Sequence, residues 1–327
     1  MKTVAAALVA AAGFGALQDQ TVKLGTLAPE GSAWHDIIRD MADDWKKASG
    51  GKIAFKIFAG GAIGDEPDMV RKMRIGQLHA AALTGVGLSE IAPEILGIQL
   101  PLLVRSYEEL DAVLEKLAPR FEKGLAEKGY VVLNWGDAGW VHFFGQKPIV
   151  TIDDLRAMKM FVWAGSDMEV GVWKDAGVPV VPLQATDILP GLNNGLINAF
   201  STTPLAALSF QWFGLAKNMT AMRWAPLIGA TVITQKAWAR IPDAQKPALL
   251  AAAKKSGERL KAETRKLGDK AVELMKERGL VVHDVPAAAL AQWEKMSAEA
   301  WPKIKSVPPD LVEEIRKILA EHRAKAK

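Results

Sequence analysis

The sequence predicts an α/β protein that is divided into two lobes. Its 327 residues exceed what one ordinary hydrophobic core covers and suit two cores of ordinary size. Half of the residues are apolar and 24% are charged, which is typical of a globular chain. Strand patterns alternate with helix patterns from residue 21 to residue 135, and the alternation resumes after Gly145. Such alternation indicates parallel strands joined by crossover helices.

The elements of the first half can be placed in order. The predicted strands are residues 21–28, 52–59, 79–85 and 130–135. Ser32, Asp65 and Ser106 each precede an apolar stripe with helical spacing, so each is predicted to begin a helix. Gly76 and Gly129 are predicted to end the helices before the third and fourth strands.

The second half continues the pattern and adds two long elements. The predicted strands are residues 158–165, 178–183 and 196–202. Residues 220–234 form a long, mostly apolar run that can extend between the lobes. After Pro242, a helical pattern continues for about 35 residues without another proline, well beyond the usual length of a globular helix. A helix of that length can bridge two lobes.

The strand predicted at residues 158–165 is apolar on both of its faces. Side chains alternate along a strand, so Met160 and Val162 point to one face, while Phe161 and Trp163 point to the other. A strand with two apolar faces is predicted to be buried on both sides, as in an α/β sheet. Phe161 and Trp163 therefore face either packed protein or a ligand.

The N-terminus has the layout of a secretory signal peptide, predicted to be residues 1–20. Lys2 is followed by an apolar run of small residues from Thr3 to Leu17 and then by polar residues. The run is too short to span a bilayer comfortably. Cleavage is expected between Gly13 and Gln18, and the alternative is a buried first helix.

The chain shows few signs of catalytic or metal chemistry. It has no cysteine, which excludes disulfides, thiolate metal sites and cysteine nucleophiles. It contains no nucleophile-elbow or phosphate-loop motif, and its five histidines lack ligand spacing. The net charge of +4 is spread along helices and the C-terminus. We therefore expect no enzyme activity, no cofactor, no metal and no nucleic-acid partner.

Several stretches, in their order and spacing, resemble the DctP-type extracytoplasmic solute-binding proteins of TRAP transporters. They are LGTLAPEGSAWH (24–35), FAGGAIGDEPDMVRKMRIGQLHAAALTG (58–85), LPLLVRSYEELDAVL (100–114), IVTIDDLRAMKMFVW (149–163) and ATDILPGLNNGLINAFSTTPLAAL (185–208). The resemblance covers about residues 21–300. It implies the two-lobe periplasmic binding protein fold, type II-like, with hinge strands and a long helix that crosses both lobes.

The resemblance also implies domain boundaries, a location and partners. One lobe comprises residues 21–134 and about 226–262, and the other comprises residues 135–225 and about 263–327. The protein is expected in the periplasm, in agreement with the predicted signal peptide. It is expected to bind a small molecule in the cleft and to deliver it to membrane permease subunits that use an ion gradient, with no ATPase partner.

Two positions depart from the pattern of this family. The strand after the Asp153-Asp154 turn usually carries an arginine that pairs with a ligand carboxylate, and Phe161 occupies that position here. A second arginine often follows a Gly-Phe pair, and Val141 stands there, after Trp140.

These departures predict a ligand that is more apolar than the organic acids usual for the family. A buried carboxylate without a charged partner costs several kcal/mol. Aromatic rings and hydroxyls would hold the ligand instead. The predicted ligand-binding residues are Phe161, Trp163, Trp140, Val141, Trp34, His35, Thr84, Phe200, Thr202, Thr203 and Trp224.

Three alternatives stay open. The ligand can be an ordinary carboxylate that is held by hydrogen bonds alone or by another arginine such as Arg105 or Arg223. The chain can be a secreted α/β enzyme, which would require catalytic residues that converge in the cleft. It can also be a structural or interaction protein of the envelope, with its cleft filled by its own side chains.

Overall fold

A computed structural model describes residues 20–164 and 166–325. The strands are β1 (Gln20–Thr26), β2 (Ile53–Phe58), β3 (Ala80–Thr84), β4 (Tyr130–Gly145), β5 (Met160–Trp163), β6 (Val180–Leu183), β7 (Ala199–Thr202), β8 (Asn218–Thr220), β9 (Ala225–Thr234) and β10 (Val281–His283). The helices are α1 (Ala33–Ala48), α2 (Glu66–Arg74), α3 (Gly85–Ser89), α4 (Tyr107–Glu127), α5 (Ile152–Arg156), α6 (Asp167–Asp175), α7 (Ile188–Asn193), α8 (Pro204–Ser209), α9 (Gln235–Trp238), α10 (Lys246–Glu277), α11 (Ala287–Ala300) and α12 (Pro309–Lys325). The predicted signal peptide lies outside the described residues except for Gln20.

The strands form one sheet in which β4 belongs to both lobes. The order is β2-β1-β3-β9-β4-β7-β5-β6, with β8 beside β4 and β10 beside β8. Residues 130–141 of β4 pair with β9, and residues 142–145 pair with β7. We call the half on the β9 side the first lobe and the half on the β7 side the second lobe.

Strand directions follow the predicted α/β pattern. In the first lobe, β1 runs parallel to β2 and to β3. In the second lobe, β5 runs parallel to β6 and to β7. The apolar run at residues 220–234 becomes β9, which is antiparallel to β3 and β4. This strand returns the chain from the second lobe to the first, as its length predicts.

The long helix predicted after Pro242 is α10, of 32 residues. Leu249 and Ala253 near its start are buried in a first-lobe core, and Met275 near its end is buried in a second-lobe core. The prediction that this helix bridges the lobes is therefore confirmed. Within residues 20–164 and 166–325, no helix combines the length and the apolarity that crossing a membrane requires.

The strand predicted at residues 158–165 is β5, and it is buried on both faces. Met160 and Val162 belong to one core cluster of the second lobe, and Phe161 belongs to another. The exposed fraction of Phe161 is 2%, while Trp163 at the end of the strand is half-buried. The alternation along this strand therefore predicts its environment correctly.

The last helix packs against the first lobe. Leu311 and Ile315 of α12 share a core cluster with Leu110 and Val113 of α4. The expected division instead places residues 263–327 in the second lobe. The chain returns to the first lobe because α12 carries an apolar stripe that packs against α4.

Candidate functional site

A cavity of about 150 Å³ lies between the two lobes, at the ends of β1 and β3. From the first lobe, Trp34, Glu66 and Thr84 line it. From the second lobe it is lined by Trp163, Thr202, Thr203, Phe210 and Trp212. Asp137 of β4 and residues of β9 and α10 complete the wall. Ligands of α/β proteins usually bind at this place, beyond the carboxyl ends of parallel strands.

A second cavity, of about 220 Å³, adjoins the first. Val141, Trp173 and Trp224 line it, and Trp163 and Thr202 line both cavities. Trp163 therefore contributes to the walls of both cavities. Glu169 also lines the second cavity, where its Oε2 accepts a bond of 3.5 Å from the backbone N–H of Trp163, and burial raises its pKa to about 7.

The structure brings seven of the predicted ligand-binding residues together around these cavities. Trp34, Thr84, Trp163, Thr202 and Thr203 line the first cavity. Val141, Trp224 and again Trp163 and Thr202 line the second. They come from both lobes and from β4, so no single stretch of sequence brings them together.

Four predicted residues lie elsewhere, one layer behind the walls or outside them. Phe161 packs edge-on against Trp163, with ring centroids 5.7 Å apart. Phe200 stacks on Phe144 at 5.2 Å. The other two are Trp140, whose ring lies 5.5 Å from that of Tyr107, and His35, whose Nδ1 accepts a 3.3 Å bond from the N–H of Gly31. A direct ligand contact from these four residues stays a prediction.

Glu66 is a buried acid that the sequence pattern does not reveal. Its carboxylate accepts bonds from the Thr84 N–H at 2.9 Å, the Thr84 hydroxyl at 2.8 Å and the Gly87 N–H at 2.7 Å. Burial raises the pKa of Glu66 and these hydrogen bonds lower it, and the net result is a pKa of about 7. Thr84 therefore orients Glu66 as well as lining the cavity. In the sequence, Glu66 looks like an ordinary acidic residue in the first turn of a helix.

Asp137 is a second buried acid on the cavity wall, and its partner is distant in sequence. Its Oδ2 accepts bonds from Arg265 of α10, at 3.1 Å from Nε and 2.9 Å from Nη2. Its Oδ1 is buried and has no hydrogen-bond partner in the structure. Burial raises the pKa of Asp137, and the neighbouring guanidinium opposes that rise.

Neither cavity is lined by a lysine or an arginine within the described part of the chain. Arg105 and Arg223, the alternative partners for a carboxylate, line a separate groove of about 620 Å³. Arg105 pairs there with Glu294 at 3.5 Å. The guanidinium of Arg223 lies 5.6 Å from the ring centre of Trp140. Neither arginine lines the first or the second cavity.

The two lobes are closed over the first cavity. Oδ2 of Asp65, the residue that caps α2, accepts a 2.8 Å bond from the N–H of Ala185 in the second lobe. The other oxygen of Asp65 accepts a 2.8 Å bond from the N–H of Glu66. Leu27 packs against core clusters of both lobes. These contacts join the two lobes beside the cavity, and a rotation of the lobes away from each other would break them.

The described residues hold no group of three or more His, Asp or Glu side chains that could bind a metal ion. The cavity walls instead offer aromatic and aliphatic surface with a few hydroxyl and carboxyl groups. Such a lining is suited to holding a small molecule by apolar contact and a small number of hydrogen bonds.

Sequence comparison finds relatives over most of the chain. The family model for bacterial extracellular solute-binding protein, family 7, matches residues 24–306. A solute-binding protein of Roseobacter denitrificans is 28% identical over 258 residues, which cover 77% of each chain. The sialic acid-binding periplasmic protein SiaP of Vibrio cholerae is 19% identical over 244 residues, which cover 73% of this chain and 74% of SiaP.

Solved structures of TRAP periplasmic solute-binding proteins share the fold. One from Ralstonia eutropha H16, with bound (S)-2-acetolactate, has a TM-score of 0.86 and 22% identity, covering 92% of this chain and 99% of its own. One from Sulfurospirillum deleyianum, with bound succinate, has a TM-score of 0.85 and 18% identity, with the same coverage of 92% and 99%. The predicted two-lobe fold is thereby confirmed.

Proposed function

Because the chain belongs to bacterial extracellular solute-binding protein family 7, we propose that it is the periplasmic solute-binding component of a TRAP transporter. It binds a largely apolar small molecule between its lobes and delivers that molecule to membrane permease subunits. The closed lobes, joined by the bond between Asp65 and Ala185, support a mechanism in which closure encloses the ligand.

The absence of lysine and arginine from the described lining of both cavities carries the proposal for an apolar ligand. A carboxylate enclosed there would lose its hydration without gaining an opposite charge, at a cost of several kcal/mol. Trp34, Trp163, Phe210 and Trp212 offer apolar area instead. Burial of roughly 300 Å² of apolar ligand surface contributes on the order of 7 kcal/mol before ordering costs.

A second candidate is an organic acid that is held without an arginine. The structures with bound acetolactate and succinate favour it, because those related proteins hold carboxylates. In this chain, the hydroxyls of Thr202 and Thr203 would have to supply the hydrogen bonds. The two candidates differ in whether the ligand carries a carboxylate, so titration of the protein with organic acids can distinguish them.

Isothermal titration calorimetry with succinate, D-galacturonate and D-glucuronate tests the proposal. We expect no saturable heat at millimolar concentrations of any of the three acids, at low or at high salt. A dissociation constant in the micromolar range or below for one of them would overturn the apolar ligand and support the second candidate. Unfolding curves of the same preparation show that the protein used is folded.

Export is tested on the protein isolated from the periplasm. N-terminal sequencing is expected to begin between residues 14 and 21, because the apolar run ends at Leu17. A chain that keeps Met1 and stays in the cytoplasm would contradict the proposed location.

A further inference from the structure

We propose that the ligand presents a hydrogen-bond donor, either a hydroxyl or N–H group or an ammonium group, to Oδ1 of Asp137 in the first cavity. The inference rests on the proposed function and specifies the polar end of the ligand. The inference adds Asp137, on the β4 strand that the two lobes share, to the ligand-binding residues.

Asp137 carries a buried acceptor that lacks a partner. The side chain of Asp137 is 3% exposed, the residue lines the first cavity, and its Oδ1 is buried without a hydrogen bond. A buried acceptor left without a partner is unfavourable, so such groups usually find one in protein, water or ligand. Of the buried side-chain polar atoms without a partner in the described residues, only this one belongs to a residue of that wall.

Two neighbouring polar side chains of the wall, those of Asn134 and Glu66, are already engaged. Asn134 donates to the Ala253 carbonyl at 3.0 Å and accepts from the Thr231 N–H at 3.2 Å. Both oxygens of Glu66 accept bonds from Thr84, and one of them also accepts from the Gly87 N–H. Among the carboxyl and amide oxygens of the described lining, Oδ1 of Asp137 is therefore the one left for a ligand donor.

Arg265 holds Asp137 in place but is not available to bind an anion. It donates to Asp111 from both terminal nitrogens, at 2.9 Å and 2.7 Å, and to Asp137 from Nε and Nη2. Its guanidinium carbon also lies 4.2 Å from the ring centre of Tyr107. All of its nitrogens are engaged with these carboxylates, so Arg265 acts as a positioning residue. The cavity therefore presents acceptors to its ligand and disfavours a carboxylate.

Four probes of matched size test this specificity: toluene, benzyl alcohol, benzylamine and benzoate. A cavity of about 150 Å³ lined by apolar groups is large enough for a benzene ring. Calorimetric titration is expected to show benzyl alcohol or benzylamine binding at least tenfold more tightly than toluene, with benzoate the weakest. Tighter binding of benzyl alcohol than of benzylamine would indicate a neutral donor on the ligand, and the reverse order would indicate a cationic donor.

Asp137→Asn tests whether this residue is responsible. Arg265 requires an acceptor, so the new amide oxygen faces the guanidinium and the amide NH₂ faces the cavity. We expect the tenfold preference for the donor to disappear and benzoate to gain affinity relative to toluene. Asp40→Asn is the matched control, because Asp40 also pairs with an arginine of α10, Arg259, but does not line the cavity.

The results distinguish this inference from the proposed function. If toluene binds and the donor probes bind no more tightly, the role of Asp137 is refuted while the apolar cavity stands. If benzoate binds most tightly, or if none of the probes binds, the inference is overturned. A preference for donors that survives in folded Asp137→Asn would also contradict it. Tight binding of succinate or of the sugar acids, in contrast, is the result that overturns the apolar ligand and supports the second candidate of the proposed function.

Discussion

The two lobes present unlike walls to the cavity between them. On the first-lobe side, Glu66 and Thr84 form a hydrogen-bonded network at the starts of α2 and α3. On the second-lobe side, Trp163 stands beside Phe210 and Trp212, whose rings stack at 4.6 Å. Among the described residues of the lining, the buried acid Glu66 therefore comes from the first lobe, and three of the four aromatic rings come from the second. A ligand gains both only when the lobes are closed.

The largest expected effect is a loss of stability at Phe161, which distinguishes a core residue of the second lobe from a residue of its cavity wall. Phe161 lies in that core and is 2% exposed. Phe161→Ala is therefore expected to lower the free energy of unfolding by about 3–5 kcal/mol, measured by urea denaturation. Full stability together with lost affinity would show instead that the ring contacts the ligand, as the family position of this residue suggests.

The acidic wall of the first lobe predicts a pH dependence of stability. The pKa of Glu66 is about 7 in the folded protein, above its usual value of 4.5. Folding favours the protonated form of Glu66. The contribution of this group to the free energy of unfolding is therefore fully present below pH 4.5 and is lost as the pH rises through 7. Relative to Glu66→Gln, the native protein is expected to lose about 2–3 kcal/mol between pH 5 and pH 8.

Urea denaturation at both pH values measures the stability difference between the native protein and Glu66→Gln. Glu115→Gln is the matched control, because it removes one carboxyl group from an exposed site. If the free energies of unfolding of the native protein and Glu66→Gln change with pH in parallel, folding does not raise the pKa of Glu66.

The aromatic wall is tested at Trp163, two residues from Phe161 on the same strand. Trp163→Ala removes the aromatic ring of a residue that lines both cavities, so it is expected to weaken binding of the natural ligand about 30-fold, or about 2 kcal/mol. Calorimetry with ligand released from the native protein measures this. Trp238→Ala is the control, since Trp238 packs on Trp45 in the first lobe. Equal affinities in folded Trp163→Ala and native protein would remove Trp163 from the site.

The smallest expected effect concerns the contact that joins the two walls. Asp65→Asn keeps a side chain that can cap α2 but puts an amide group in place of one carboxylate oxygen, so the bonds to Glu66 and Ala185 cannot both be kept. We expect about fivefold weaker binding, or about 1 kcal/mol, by calorimetry. Asp68→Asn, on the same helix, is the control, because Asp68 pairs with Arg71. Tighter binding by Asp65→Asn would mean that this bond does not stabilise closure.

Local patterns in the sequence predict much of the fold. The structure contains the strand predicted within residues 158–165 and the long helix predicted after Pro242, and the apolar run at residues 220–234 contains β9. Alternation and helical periodicity depend on neighbours along the chain, so they can be recognised without the tertiary structure. The packing of α12 on the first lobe could not be predicted in this way, because an apolar stripe does not specify which surface it covers.

The site is less accessible to sequence analysis, and two residues show why. Phe161 and Trp163 have the same local pattern, yet one ring packs in a core while the other lines the cavities. A ligand and a core are both apolar, so hydrophobicity does not distinguish them. The pair of Asp137 and Arg265 joins residues 128 positions apart, and no local signal connects them.

The most direct test of the account is to identify the molecule that the native protein carries. Protein purified from the periplasm without refolding is denatured, and the released small molecule is analysed by mass spectrometry. We expect a largely apolar compound that has a hydroxyl, amide or amine group and no carboxylate. Release of a dicarboxylate or a sugar acid in stoichiometric amount would contradict it.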